Sequence, residues 1–198
     1  MKLKLSAILV VALIASASFL AFTPKADTYT VDLTKSSISW EAKKLVGGHT
    51  GFIDLTSGNL VFSGKKLTGG GFVASMASLK VMDNEKPNPG LDKHLKSDDF
   101  FGVEKFPTST FAIKKIAGSG ANVNVTGDLT IKGKTNSITF PATLTWNADK
   151  TISAVAEKIE IDRVKYGIEY RSKSVFSDIG NKMIEDVFTI SVKLVVKK

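Results

Sequence analysis

Few side chains in this sequence could do chemistry, and their spacing narrows the choice. The 198 residues contain no Cys and only two His, His49 and His94. Without thiols there is no disulfide framework, no Cys-ligated zinc or iron–sulfur centre and no thiol nucleophile. The two His are far apart, and no acid stands at metal-ligand spacing around either, so neither a metal nor another cofactor is expected. His94 falls one turn from Leu91 in a short helical pattern, where a partly buried ring is the ordinary outcome. His49 sits between Gly47-Gly48 and Thr50-Gly51, a glycine-flanked turn from which a ring could face a cavity mouth.

Other tempting motifs fail on spacing. Gly133-Lys134-Thr135 looks like the end of a phosphate-binding loop, but Gly127 is one residue too far upstream and the residues between alternate as a strand. A hairpin turn is the better reading. Gly118-Ser119-Gly120 is a tight turn and lacks the frame of a nucleophile elbow. The acid pairs Asp98-Asp99 and Glu185-Asp186 read as solvated surface, because sequence neighbours diverge on a strand or helix. The triplet Asn124-Val125-Thr126 fits a glycosylation acceptor but lies in mid-strand.

Composition sets the frame around these residues. With 43% hydrophobic and 23% charged residues, 16 Gly and 5 Pro, the chain is neither collagen-like nor wholly disordered. Residues 1–26 read as a cleaved signal peptide: Lys2 and Lys4, the apolar run Leu5 to Phe22, then small-residue triplets such as Ala15-Ser16-Ala17. A retained anchor is the alternative, since that run just reaches spanning length. Cleavage would remove Lys2, Lys4 and Lys25 and take the net charge from +8 to +5. Residues 27–198 then form one exported domain, large enough for a core without staples, with no stable membrane insertion after cleavage. A nucleic-acid role is not expected: lysines such as Lys114, Lys132, Lys158 and Lys193 stand singly on outward strand positions, and most aromatics point inward.

Strands dominate. Val123, Val125, Gly127, Leu129 and Ile131 alternate with polar residues, as do Ile138 to Trp146 and Phe188 to Val196. Pro141 takes an outward position, which predicts a bulge or an edge. The inward phase after Thr151 slips between Ala156 and Ile159, which predicts a bulge at Glu157-Lys158. Only Gly90 to Phe100 reads as helix, a short lid or connector. About eight or nine antiparallel strands favour a closed barrel or a sandwich. Large inward residues mix with Gly127, Ala42, Ala142, Ala154 and Ala156. Interdigitated packing and an apolar cavity both fit that mixture.

Several stretches also carry a resemblance. Tyr29-Thr-Val-Asp32, Gly48-His49-Thr50-Gly51-Phe52, Asp92 to Phe101, Phe106-Pro107, Gly127 to Gly133, and Ile161-Asp162-Arg163 through Tyr166-Gly167, in that order, resemble the YceI-like family. The resemblance spans Thr28 to Val196. It implies an all-β, lipocalin-like closed antiparallel barrel of about eight strands with a short helix, in a protein of the bacterial periplasm or cell envelope. It also implies a polyisoprenoid or other long-chain lipid as ligand, and no catalysis. Val73-Ala74-Ser75-Met76 departs from the pattern, which often places an acid before the Met. Trp40, Phe62, Phe72, Leu129, Ile131, Phe140, Leu144, Trp146, Ile190 and Val192 are the expected cavity wall, each equally able to be packed core. His49, Arg163 and Tyr166 are the candidates for its polar end, and Arg163 has an ion pair with Asp162 or another acid as its alternative. An exported barrel enzyme, such as a hydrolase acting on an apolar substrate, is the second reading. Pairing of exposed edges into a homodimer stays open.

Overall fold

A computed structural model describes residues 25–44, 47–176, 180 and 183–198. Most of the signal-peptide reading, residues 1–24, therefore lies outside the described residues. Among the described residues, no helix is long and apolar enough to cross a membrane.

The strands, in chain order, are β1 (Ala26–Val31), β2 (Ser37–Lys44), β3 (Gly48–Ile53), β4 (Leu55–Ser63), β5 (Lys66–Ser75), β6 (Lys80–Asp83) and β7 (Lys86–Pro87). The helix α1 (Pro89–Lys96) precedes β8 (Thr108–Ser119), β9 (Asn122–Ile131), β10 (Lys134–Trp146), β11 (Ile152–Asp162) and β12 (Ile184–Lys197). All pairings between these strands are antiparallel. β1 and β2 both run along β12, interrupted by the turn after Val31; β3 and β4 form a second broken strand, and β5 and β6 a third. With β8 to β12 this makes an eight-membered up-and-down barrel, closed where Thr30 and Val31 meet Lys197 and Val196. Closure removes the free edges that an open sheet would present.

Local chemistry explains the joints. β9 and β10 are linked by Lys132-Gly133 at φ 49 and 73, the double positive φ of a two-residue hairpin turn. The Gly133-Lys134-Thr135 motif is thus a hairpin, as its alternating surroundings predict. The slip along β11 is a bulge between Ala156 and Ile159, with Lys158 at φ 51. Pro141 disturbs nothing on the β9 side, where it pairs with Asn124; β10 meets β11 only from Thr143 onward. Its missing N–H therefore falls where β10 has an edge, and the 3-10 turn Arg163–Tyr166 approaches that stretch, with Asn136 Nδ2 donating to Lys165 O at 3.2 Å.

β5 and β6 are separated by a 3-10 turn, Met76–Ser78. Ser78 Oγ donates to Ser75 O and accepts from Asp54 N–H, offering the backbone a local alternative to the ladder. The helix is shorter than its sequence pattern. It starts at Pro89, capped by Asn88, whose side chain accepts from Leu91 N–H, and it stops at Lys96, where Ser97 turns extended.

Candidate ligand-binding site

The inward residues of the barrel separate into a packed end and a hollow end. Phe62 is fully buried at the packed end, edge-on to Tyr29 at 5.4 Å and to Trp146 at 6.5 Å. Leu144 and Val192 are buried in the same cluster. Phe140 lies between the ends against Phe111, at 5.4 Å, and Phe111 against Phe72, at 5.5 Å. Phe72, Phe111 and Phe140 form the floor. Gly127 lies against Phe111, and a Cβ there would overlap the Phe111 ring.

Above the floor is an apolar cavity of about 290 Å³, at the small end of the range for small-molecule sites. Its barrel wall includes Trp40, Phe72, Leu129, Ile131 and Ile190. Its roof comes from outside the strands: Leu91, His94 and Leu95 of α1, Phe100 and Phe101 after it, and Ile168 and Tyr170 before β12. His94 packs edge-to-face on Phe100 and Tyr170, which are tilted against each other, with ring centroids 4.9–5.1 Å apart. His94 Nε2 is also 3.0 Å from Asp99 Oδ2.

The structure divides the candidate site residues into two groups. Trp40, Phe72, Leu129, Ile131 and Ile190, with His49 and Arg163, line the hollow. Phe62, Phe140, Leu144, Trp146, Val192 and Tyr166 do not. Phe62, Leu144, Trp146 and Val192 fill the packed end, and Phe140 lies under the floor. Tyr166 is buried outside the cavity in the 3-10 turn after β11, and burial pushes its hydroxyl pKa upward. Sequence reasoning reads Gly90 to Phe100 as a short lid or connector but names none of these roof residues as part of the site, because lid residues follow no strand period. The helical spacing of Leu91 and Leu95 followed by Phe100-Phe101 was the available signal.

Arg163 is 4% exposed and is fully committed to structure. Its Nε donates to Glu185 O at 3.0 Å, Nη1 to Ile168 O and Tyr170 O at 2.9 and 3.0 Å, and Nη2 to Ile184 O at 3.0 Å and Asp186 Oδ1 at 3.3 Å. These contacts use all five N–H groups of the guanidinium. Burial draws its pKa down, opposed by Asp186 and then Asp162, and it stays charged. Its ion partner is Asp186; Asp162 instead accepts from Val164 N–H. Arg163 therefore frames the mouth by tying the 168–170 segment to the start of β12. The acid pairs are not simply solvated: Asp98 meets Lys105 at 2.6 Å, Asp99 meets His94, and Asp186 meets Arg163.

His49 enters the wall from β3, opposite Ala42. Its Nδ1 is 2.7 Å from Asp83 Oδ2, which also accepts from Asn88 Nδ2 at 3.1 Å. Burial acts to raise the Asp83 pKa, but the hydrogen bonds from Asn88 and His49 outweigh it and hold the carboxyl below the usual range. Asp83 thereby joins the mouth of the barrel to the cap of α1. Asp92 Oδ1 reinforces the joint by accepting Val81 N–H at 2.6 Å. Among the described residues, no group of His, Asp and Glu has the geometry of a metal site.

A closed eight-stranded antiparallel barrel, packed at one end and hollow and roofed at the other, is a lipocalin-type fold. The chain belongs to the YceI-like family, whose sequence model, described as the YceI-like domain, matches residues 29–196. A UPF0312 protein of Enterobacter sp. (strain 638) is 32% identical over 107 residues, 54% of each chain. Protein YceI of Escherichia coli O17:K52:H18 is 31% identical over 107 residues, again 54% of each. The chain spans about half the length of these curated relatives. Solved structures match more broadly. BcnA of Burkholderia cenocepacia is 25% identical with a TM-score of 0.69, covering 83% of this chain and 98% of BcnA. A polyisoprenoid binding domain of Saccharophagus degradans, implicated in plant cell wall breakdown, is 13% identical with a TM-score of 0.64, covering 85% of this chain and 97% of that domain.

Proposed function

We propose that this chain is an exported lipid-binding protein that holds a long apolar ligand, a polyisoprenoid or similar lipid, for transport, storage or sequestration in the periplasm or cell envelope. The observation that carries this reading is the roofed apolar hollow, enclosed by aromatic and aliphatic side chains from the barrel, α1 and the segment before β12. The polyisoprenoid-binding neighbour of the same fold supports the ligand class, and the apolar N-terminal run supports export. Among the described residues, His49 and His94 each pair with an aspartate, Asp83 and Asp99.

Magnitudes say what the hollow can do. Each methylene-sized group buried there gains about 0.8 kcal/mol, against an association cost of about 4 kcal/mol or more. A tail must therefore bury on the order of fifteen such groups to reach the roughly 8 kcal/mol of micromolar binding, and polar contacts at the mouth lower that number.

Solvent extraction of the purified protein followed by mass spectrometry tests the proposal. The expected result is an apolar ligand near one per chain. Repeated blanks, with no retention of added polyisoprenoid, would overturn it. N-terminal sequencing of the exported protein tests removal of residues 1–26.

A further inference from the structure

We propose that the packed end of the barrel, opposite the mouth, docks on the surface of an anionic phospholipid bilayer, so that the hollow opens away from the membrane. Docking uses the rim of one end and lipid holding uses the hollow of the other, so the two properties can fail separately.

Three observations converge on that rim. The first is where the charge lies. The start of β1 and the turn after it, the β4–β5 and β10–β11 turns and the end of β12 all lie at the packed end. They carry Lys35, Lys65, Lys66, Lys150, Lys197 and Lys198, all exposed, against Asp27, Asp32 and Asp149. Three of the five net charges of residues 27–198 are thus gathered here, leaving two for all the rest. The second observation is the pairing. Each acid is already met, Asp27 by Lys198 at 2.9 Å, Asp32 by Lys197 at 3.2 Å and Asp149 by Lys35 at 3.9 Å. Among the described residues, Lys65, Lys66 and Lys150 make no ion pair. Lys65 and Lys66 follow Gly64 in one turn, and Lys150 stands in the other at φ 65. The third observation is what lies among these lysines. Leu33, 45% exposed, stands in the turn after β1, and β1 begins at Ala26 on this rim, so the apolar run Leu5 to Phe22 joins the domain here.

These features fit a bilayer better than a dissolved polyanion. Each lysine held near an anionic membrane surface gains about fivefold in affinity, and flexible stems let ammonium groups from several turns reach one plane. An exposed leucine among them adds an apolar point that the head-group boundary accepts. A dissolved polyanion has no use for it. The mouth end shows the opposite habit, with His49, His94 and Arg163 each matched by an aspartate.

The test is co-sedimentation of the purified protein, at about 150 mM salt, with vesicles containing phosphatidylglycerol and with vesicles of phosphatidylcholine alone. Binding to the anionic vesicles is expected to be about tenfold or more tighter and to weaken as salt rises. Lys66→Gln/Lys150→Gln should weaken it about tenfold or more. Lys86→Gln/Lys93→Gln removes the same charge from exposed positions at the mouth end and should change it by less than about twofold. Retention of an apolar probe should be the same in the parent and both variants. Orientation is read in the Cys-free chain from a polarity-sensitive dye on a single new thiol. The dye on Leu33→Cys should shift to the blue on vesicle binding, and the dye on Phe176→Cys, 46% exposed beside the mouth, should not. Equal binding to both vesicle types, equal weakening by the two lysine pairs, or a shift at position 176 in place of 33 would each overturn the docking while leaving the lipid-holding hollow intact. Capture by heparin or DNA with none by vesicles would assign the rim to a dissolved polyanion and overturn it as well. Loss of probe retention in the parent, with vesicle binding as expected, would overturn the lipid-holding reading and leave the docking standing.

Discussion

Both ends of the barrel are made from the same alternating strands, and β9 and β12 run through both. Along β9, Val123 and Val125 pack solidly while Leu129 and Ile131 border empty space; along β12, Val192 to Val196 pack while Phe188 and Ile190 border it. Alternation alone therefore does not decide between core and cavity. The decision lies in what the opposite wall brings. At the packed end, Tyr29, Phe62 and Trp146 meet across the lumen. At the hollow end, the roof is carried by α1 and its following turn, held off the floor by Asp83, Asn88 and Asp92. One end supplies stability, and the other spends some of it on an unfilled volume.

Substitution should separate the ends sharply. Phe62→Ala, at a fully buried site, is expected to lower stability by about 3–5 kcal/mol and leave lipid affinity per folded molecule unchanged, as read by urea unfolding and probe titration. Ile190→Ala, on the hollow side, should cost only about half as much, because one face already lacks packing partners; a cost equal to that of Phe62→Ala would erase the distinction. Arg163→Met should cost about 3 kcal/mol, since four carbonyls and Asp186 lose their donor, and should loosen the 168–170 segment in hydrogen exchange. Gly127→Ala should cost about 1–3 kcal/mol by displacing Phe111, and the same displacement should change the chain length the protein prefers in a series of prenyl alcohols. That shift in preference would show that the floor sets the depth.

The smallest effect is acidic. The Asp83 carboxyl has a lower pKa in the folded protein than in the unfolded chain, where it is about 3.9. Its contribution is complete above that value and fades as pH falls through the folded pKa, because the unfolded state binds the proton first. Thermal unfolding between about pH 4 and pH 2 should therefore be less steep in Asp83→Asn than in the parent. Identical slopes would mean that the joint between mouth and helix cap contributes little.

Much of the fold was legible because its devices are local. The slip from Ala156 to Ile159 is visible as a broken phase, and Lys132-Gly133 as a turn between two clean alternations. Pro141 announced an edge that only the pairing of β10 with β9 and β11 could locate. The site was legible in part. Trp40, Phe72 and Ile190 share their inward phase with Phe62, Leu144 and Trp146, so no period could tell lining from filling. Arg163 looked like a ligand contact because it stands beyond a strand end; the carbonyls that consume it come from residues 168–170 and 184–185, whose approach is a tertiary matter. Tyr166 stands in the same stretch, and in the one-turn 3-10 segment after β11 it is buried in the core without lining the cavity.

The seam at Val31 and Val196 carries a further consequence for how the molecule is made. Apart from the pairing of β1 and β2 with β12, the barrel's neighbours follow one another along the chain, so a curved sheet can grow strand by strand, whereas closure must wait for the last strand to emerge. Until then the growing sheet has two bare borders, and a chain shortened by its final dozen or so residues would keep them. Such a product would gather into oligomers through backbone pairing, whatever the condition of its greasy interior.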